Sequence, residues 1–301
     1  MGTRWTSKHT GQKIDDTIDS VCNPNLLDNW YFGNPVNQRG ISSGNGPVNA
    51  YGIDRWKFLN AGTLTIGSDY IAIASDQHAY TLQQYIEPGR FAGVIGMTAT
   101  LSALVKGNGR LKISLGSASA GAYSDYFNYS DWTLVQMQGM IVSGTDYHIY
   151  VQARQGKGNC YVKAVKLELG DQQTLAHQDA NGNWVLNEIP DYGEQLRRCQ
   201  RYFIRLLGYP NHFAGSTGNG NNIEFFIPGI SLRDTPAVSG LTNVSIRYSS
   251  GASNTAFTLN AIAARAHGVY ISGSVASVGN ASAYSGISVA SSTEFSLSAD
   301  L

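Results

Sequence analysis

Four aromatic rings crowd the ten residues "DYFNYSDWTL", Asp125–Leu134: Tyr126, Phe127, Tyr129 and Trp132, with Asp125, Asn128 and Asp131 interleaved. That combination suits carbohydrate. A sugar ring presents an apolar face of C–H groups that stacks on an aromatic plane, and its hydroxyls need carboxylate or amide partners. Tyr126, Phe127 and Tyr129 sit in a polar stretch ahead of an apolar run and are read as ligand-facing or intersubunit rings, since Tyr and Trp favour interfaces. A second surface candidate is the Gly- and Asn-rich segment 208–222, "GYPNHFAGSTGNGNN", in which Tyr209, His212 and Phe213 are placed to meet a ligand from a loop.

The same inventory speaks against catalysis. Glycoside hydrolysis needs two carboxylates across one cleft, whereas the 15 Asp and 6 Glu of this chain scatter through turns, where Asp serves local hydrogen bonding. His78, His148, His177, His212 and His267 show no pairing four residues apart, and "GNGNN" has no following helix with the lysine of a phosphate loop. No nucleophile elbow appears. Cys22, Cys160 and Cys199 lack metal-ligand spacing, and their odd, sparse number fits a reducing compartment. The expectation is a non-enzymatic protein without a cofactor.

Composition narrows the partners. The 301 residues are 42% apolar and only 14% charged, with a formal net charge of zero. No basic patch suited to phosphate backbones stands out, so nucleic acid is not expected. No apolar run reaches the roughly 18–20 residues that span a bilayer, so no membrane insertion is expected. The opening "MGTRWTSKHTGQKIDD" lacks the apolar core of a secretory signal, which suggests folding in a cytoplasm. With 34 glycines and few Lys and Glu, the chain reads as mainly β: many short strands joined by tight turns.

Four segments follow. Residues 1–23 hold a short helix over about 6–22, capped by Thr10, with Ile14, Ile18 and Val21 at i, i+4 and i+7. So short a helix is marginal alone, and the segment is read as an anchor or oligomerisation element. Residues 24–170 read as an antiparallel jelly-roll sandwich, with Trp30 and Phe32 in its core and Tyr31 and Arg39 outside. In "DYHIYVQAR" Tyr147, Ile149 and Val151 share one face, and His148, Tyr150 and Gln152 share the other. The uneven alternation of "YVKAVKLEL" suggests a strand covered on both sides. Asp54 and Arg55 form a structural pair beside Trp56 in this reading. Residues 171–190 read as a linker with a turn at "NGN". Residues 191–301 hold a short helix, opened by Asp191 with Glu194 three residues on, and then a second, smaller β-sandwich. Leu196, Cys199 and Phe203 fall at i, i+3 and i+7, a stripe that packs on the last domain or meets its copies at a three-fold axis, with Arg197, Arg198 and Arg201 outside.

Several stretches also carry a family resemblance. "NLLDNWYFGNPVNQRG", "YGIDRWKF", "YTLQQYIEPGRFAG", "SDWTLVQMQGMIV" and "CYVKAVKLELG" resemble, in this order, jelly-roll modules of bacteriophage and prophage structural proteins and the carbohydrate-binding jelly rolls of glycan-degrading enzymes. "DYGEQLRRCQRYF", "FFIPGISLRDTP" and "FSLSADL" are similar to a C-terminal module of phage tail fibres, and "WTSKHTGQKIDDTID" to the start of such proteins. The resemblance implies a virion appendage of the tail-fibre, receptor-binding or head-fibre kind. It would be a homotrimer, docked to other virion proteins through residues 1–23 and presenting β domains to host-surface glycans. It also implies that Trp132 is a structural tryptophan. A structural calcium ion is compatible with such a jelly roll, yet no loop is dense enough in acids to name its ligands. The alternatives are a decorating component without a ligand and a non-catalytic sugar-binding module of another system.

Overall fold

The structure, a computed structural model, describes residues 10–11, 13, 23–117, 121–207, 212–213, 215–217, 222–248, 251–265, 267–275, 284–289 and 294–300. Ile14, Ile18, Val21 and Tyr209 lie outside these. The chain divides into two compact units, Met1–Gln195 and Leu196–Leu301.

The first unit carries eleven strands before its terminal hairpin: β1 (Gly44–Asn45), β2 (Ala50–Tyr51), β3 (Lys57–Leu59), β4 (Thr63–Ile66), β5 (Ile71–Ala74), β6 (Thr81–Tyr85), β7 (Thr98–Gly116), β8 (Ala122–Tyr123), β9 (Phe127–Met140), β10 (Asp146–Ala153) and β11 (Cys160–Leu169). They pair antiparallel in the order β1-β4-β5-β11-β7-β10-β6-β3-β2, with β8 and β9 also on β7. The nineteen-residue strand β7 divides the sheet in two. Its first half, Ala99–Gly107, pairs with β11; its second, Gly109–Gly116, pairs with β10. The chain changes partner at Gly107, where φ is +84° and an added Cβ would lie 2.1 Å from the Asn159 carbonyl oxygen, so only glycine fits. Between the two layers lies one core that includes Phe32, Trp56, Phe58, Phe91, Leu111, Ile149 and Leu167. This is the curled antiparallel sandwich expected for residues 24–170.

Polar side chains fasten the segment that precedes β1. Asn25 Nδ2 donates to Val165 O (2.9 Å), while its Oδ1 accepts from Leu27 N and Leu167 N. The amide of Gln84 accepts from Asp28 N and donates to Asp28 O, both at 2.8 Å. Asn29, at φ +52°, holds Val36 in both directions and accepts the Trp56 indole N–H on its carbonyl at 2.8 Å. Each bond satisfies a buried backbone group that no ladder reaches. The expected Asp54–Arg55 pair is a different pair. Arg55, at φ +72°, aims its guanidinium at Asp28 (3.1 Å), which Arg90 also meets, and Asp54 instead faces Arg39 (3.5 Å) and Gln38 (2.9 Å). Asp28 and Arg55 are both buried, and a buried charge needs such a partner.

Residues 171–190, expected to be a connector, form a packed hairpin instead: β12 (Ala176–Gln178) pairs with β13 (Trp184–Leu186), and Leu175 and Ala176 join the core. Its turn is built on Asp179, whose Oδ1 accepts from Asn181 N and Asn183 N; these bonds hold its carboxyl below the usual carboxylate range. The hairpin covers one polar end of β11. A bulge between Val162 and Ala164 shifts the alternation, and Lys166 and Glu168 emerge on that covered side, fully buried with Thr174 between them.

Helix α1 (Tyr192–Gln200) is capped by Asp191 Oδ1, which accepts from Glu194 N at 2.8 Å. The second unit then holds β14 (Phe203–Leu207), β15 (His212–Phe213), β16 (Gly215–Thr217), β17 (Asn222–Pro228), β18 (Ala237–Ser239), β19 (Asn243–Tyr248), β20 (Gly251–Arg265), β21 (Gly268–Val275), β22 (Tyr284–Val289) and β23 (Glu294–Ser298). A three-stranded sheet, β14-β23-β18, and a seven-stranded one, β15-β22-β19-β20-β21-β17-β16, share a core around Ile223, Val244, Ile271 and Leu297.

Candidate functional site

The layer formed by β2, β3, β6, β10, the second half of β7 and β8 has one face in the core and one outside. Tyr147, Ile149 and Val151 of β10 point inward, as do Leu111, Ile113 and Leu115 of β7. Strict alternation sends His148, Tyr150, Gln152, Arg110 and Lys112 to the other face. Register aligns them across strands. Tyr51, Lys57, Gln83, Tyr150, Lys112 and Tyr123 form one continuous cross-strand row. Leu59, Thr81, Gln152 and Arg110 form the row on one side, and Tyr85, His148 and Ser114 the row on the other. At about 4.8 Å per strand, the six-residue row spans roughly 24 Å.

Although these residues face away from the core, the centre of this face is shielded. Gln83 is 2% exposed, His148 4% and Gln152 7%, whereas Tyr123 and Tyr126 at one edge are 45% and 42% exposed. A chain of contacts organises the floor. Arg110 Nε donates to Gln152 Oε1 (2.7 Å), and Gln152 Nε2 donates to Thr81 Oγ1 (2.9 Å). His148 Nδ1 lies 2.7 Å from Asp146 Oδ1, and Lys112 Nζ lies 3.4 Å from His148 Nε2. Both contacts are satisfied by a neutral ring with its proton on Nδ1. Burial lowers the His148 pKa from its usual value, against the pull of Asp146. Burial likewise pushes the Tyr150 phenol up to about 12, so it remains a donor.

Aromatic planes and cations alternate above this floor. Tyr85 meets His148 edge-on at 5.6 Å, and His148 stacks on Tyr150 at 4.8 Å. The Lys112 ammonium lies 4.7 Å from the Tyr150 ring and 5.3 Å from that of Tyr123. The Arg110 guanidinium lies 3.9 Å from Tyr123 and 4.6 Å from Tyr126, and Arg154 approaches Tyr126 at 4.6 Å. Packing against rings holds long cationic side chains in place.

Of the rings in Asp125–Leu134, the structure brings only Tyr126 to this face. Phe127, the first residue of β9, lies in the core at 5% exposure, so it is not ligand-facing. Tyr129 is 39% exposed and stacks on Phe127 at 5.8 Å. Trp132 packs against the core while touching Tyr70 (6.1 Å) and the Lys163 ammonium (4.6 Å). His212 and Phe213 form the short strand β15, opposite Ser288 and Ile287. The expected stripe Leu196, Cys199, Phe203 is not one helical stripe: α1 ends at Gln200 and Phe203 opens β14, with Cys199 and Phe203 both buried. Sequence reading passed over Gln83, Tyr85, Arg110, Lys112, His148 and Tyr150 as site residues. The available signal was the second face of "YHIYVQA", which carries a ring and an amide where an ordinary solvent face carries Lys, Glu or Ser.

No protein-family model matches the chain, and no curated protein matches it. Among solved structures, the chain is similar to the C-terminal family 22 carbohydrate-binding module of Clostridium thermocellum Xyn10B (15% identity, 41% of this chain and 97% of that one, TM-score 0.31). It is similar also to the CBM22-1 xylan-binding domain of Paenibacillus barcinonensis Xyn10C (11% identity, 49% and 95% of the two chains, TM-score 0.32) and to a structure described under "CBM4 structure and function" (16% identity, 48% and 99%, TM-score 0.31).

Proposed function

We propose that this chain is a non-enzymatic glycan-binding protein whose site is the outer face of the β2-β3-β6-β10-β7-β8 layer. The observation that carries this reading is the row Tyr51–Lys57–Gln83–Tyr150–Lys112–Tyr123, in which three rings are interspersed with three hydrogen-bonding side chains across a face shielded at its centre. Rings take the C–H faces of sugars, and amides and phenols take their hydroxyls. Asp146 is the one acid that β3, β6, β10 and residues 109–116 place on this face, and His148 engages it, so the face suits holding a glycan rather than cleaving it. The resemblance of the ordered sequence motifs supplies the setting: a homotrimeric virion appendage, attached through residues 1–23, whose copies turn weak single contacts into avidity at a host surface.

A glycan array followed by calorimetry tests the reading. Tyr126→Ala and Tyr150→Ala should each weaken the best-bound glycan by roughly three- to tenfold, as loss of one aromatic contact does. Tyr70→Ala, on the other layer, should leave binding unchanged. Equal binding by all three variants would refute this location.

A further inference from the structure

Lys57, Arg110, Lys112 and Arg154 all belong to the site face or its edge, and among the described residues none of the four has a carboxylate within ion-pair distance. Among the described residues, five other basic side chains of the unit are paired with acids, while Lys106 and Lys157 are not. Lys163 meets Asp69 at 2.7 Å, Lys166 meets Glu168 at 3.5 Å, Arg55 and Arg90 share Asp28, and Arg39 meets Asp54. In a chain of zero net charge, four cations gather on a face to which β3, β6, β10 and residues 109–116 bring one acid, Asp146, already engaged by His148, which makes a local surplus.

Their geometry is also arranged. Arg110 is fixed at Nε by Gln152 and flanked by two rings, which leaves its terminal nitrogens as an oriented fork. Lys112 stands in the middle of the six-residue row, between the rings of Tyr150 and Tyr123. Lys and Arg have donors only, so they cannot accept a sugar hydroxyl proton. Their strongest partner is an anionic oxygen, and a guanidinium fork matches a carboxylate or sulfate in two parallel bonds.

Resting on the glycan-binding reading above, we infer that the ligand of this face is an acidic glycan, one whose uronate carboxylates or sulfate groups are taken by Lys57, Arg110, Lys112 and Arg154 while its rings lie on Tyr123, Tyr126 and Tyr150.

The test titrates the full chain with oligogalacturonate, alginate oligomers and chondroitin sulfate oligomers, and with neutral partners: methyl-esterified oligogalacturonate, xylohexaose and cellohexaose. Poly-glutamate is the sugar-free polyanion. At least one acidic oligomer should bind tenfold or more tightly than any neutral one, and lose tenfold or more when salt rises from about 50 to 500 mM, as exposed charge contacts are screened. Lys112→Met and Arg110→Gln should each cost that oligomer about tenfold. Arg154→Gln, at an exposed position, does the same without threatening the fold, and thermal melting checks all three. Neutral oligomers binding as tightly as acidic ones, without salt dependence, would overturn the acidic inference and leave the glycan reading standing. Binding to no oligomer at all would overturn both. Poly-glutamate binding equal to that of the acidic oligomers would reduce the face to a general polyanion surface and overturn the inference.

Discussion

His148 has Asp146 on one ring nitrogen, Lys112 on the other, and Tyr85 and Tyr150 against its ring. Desolvation outweighs the single carboxylate, so the folded ring titrates below its ordinary value near 6.5. Above about pH 7.5 the ring is neutral in folded and unfolded chains alike and contributes no pH dependence. As pH falls through 6.5 the unfolded chain takes the proton first, so the fold loses stability until the folded ring also protonates. The loss is at most about 1.4 kcal/mol per pH unit inside that window. Denaturant titrations of wild type and His148→Gln at pH 7.5 and 5.5 should show the difference between them shifting against wild type at the lower pH. A constant difference would show that the ring titrates normally.

Two strands that neighbour β7 end in different surroundings, and the elements around them make the difference. Strand β10 presents its polar side to the site face; β11 presents Lys166 and Glu168 to the β12–β13 hairpin. There Lys166 Nζ donates to Thr174 Oγ1 (2.6 Å), the Thr174 hydroxyl donates to Glu168, and Thr174 N donates to Glu168 Oε1 (2.7 Å). Burial raises the Glu168 pKa against these bonds and against Lys166, and both side chains are 0% exposed. Removing one charge strands the other in a dry site. Lys166→Met should cost about 3–5 kcal/mol, and Lys166→Met with Glu168→Leu should cost less than the single change, because the pair together carries a desolvation penalty. Urea unfolding of the two variants decides this; a more severe loss in the double variant would show that the pair is net stabilising.

At the scale of the molecule, each of the two units carries its own apolar cluster, so neither depends on the other for a core. Weak sugar contacts become useful when copies are joined, and the proposed trimer makes that measurable. Light scattering at micromolar concentration should give about three times the 32.4 kDa chain mass, and removing residues 1–22 should lower it. A full chain that stays at one chain mass would refute the trimer and leave the binding face intact. The stripe proposed to help from residues 196–203 is less suited to that role than sequence spacing suggested, because Cys199 and Phe203 are already buried in the single chain.

The mainly β class, the inward set Tyr147, Ile149 and Val151, and the core placement of Trp30 and Phe32 were determined by sequence, because alternation along a strand is local and each apolar side chain votes independently for burial. The neighbour across the sheet is not local. Arg55 meets an acid 27 residues away rather than the one beside it. Phe127 enters the core while Tyr126, beside it in sequence, meets Arg110 and Arg154. Whether a polar strand side is buried under another element, as at Lys166, or forms part of the site face, as at Lys112, depends on how the β12–β13 hairpin folds back over β11. Only the tertiary structure decided what covers it: the uneven alternation of "YVKAVKLEL" already pointed to a strand covered on both sides, as Lys166 and Glu168 are, but a strand's own period does not name the element that does the covering.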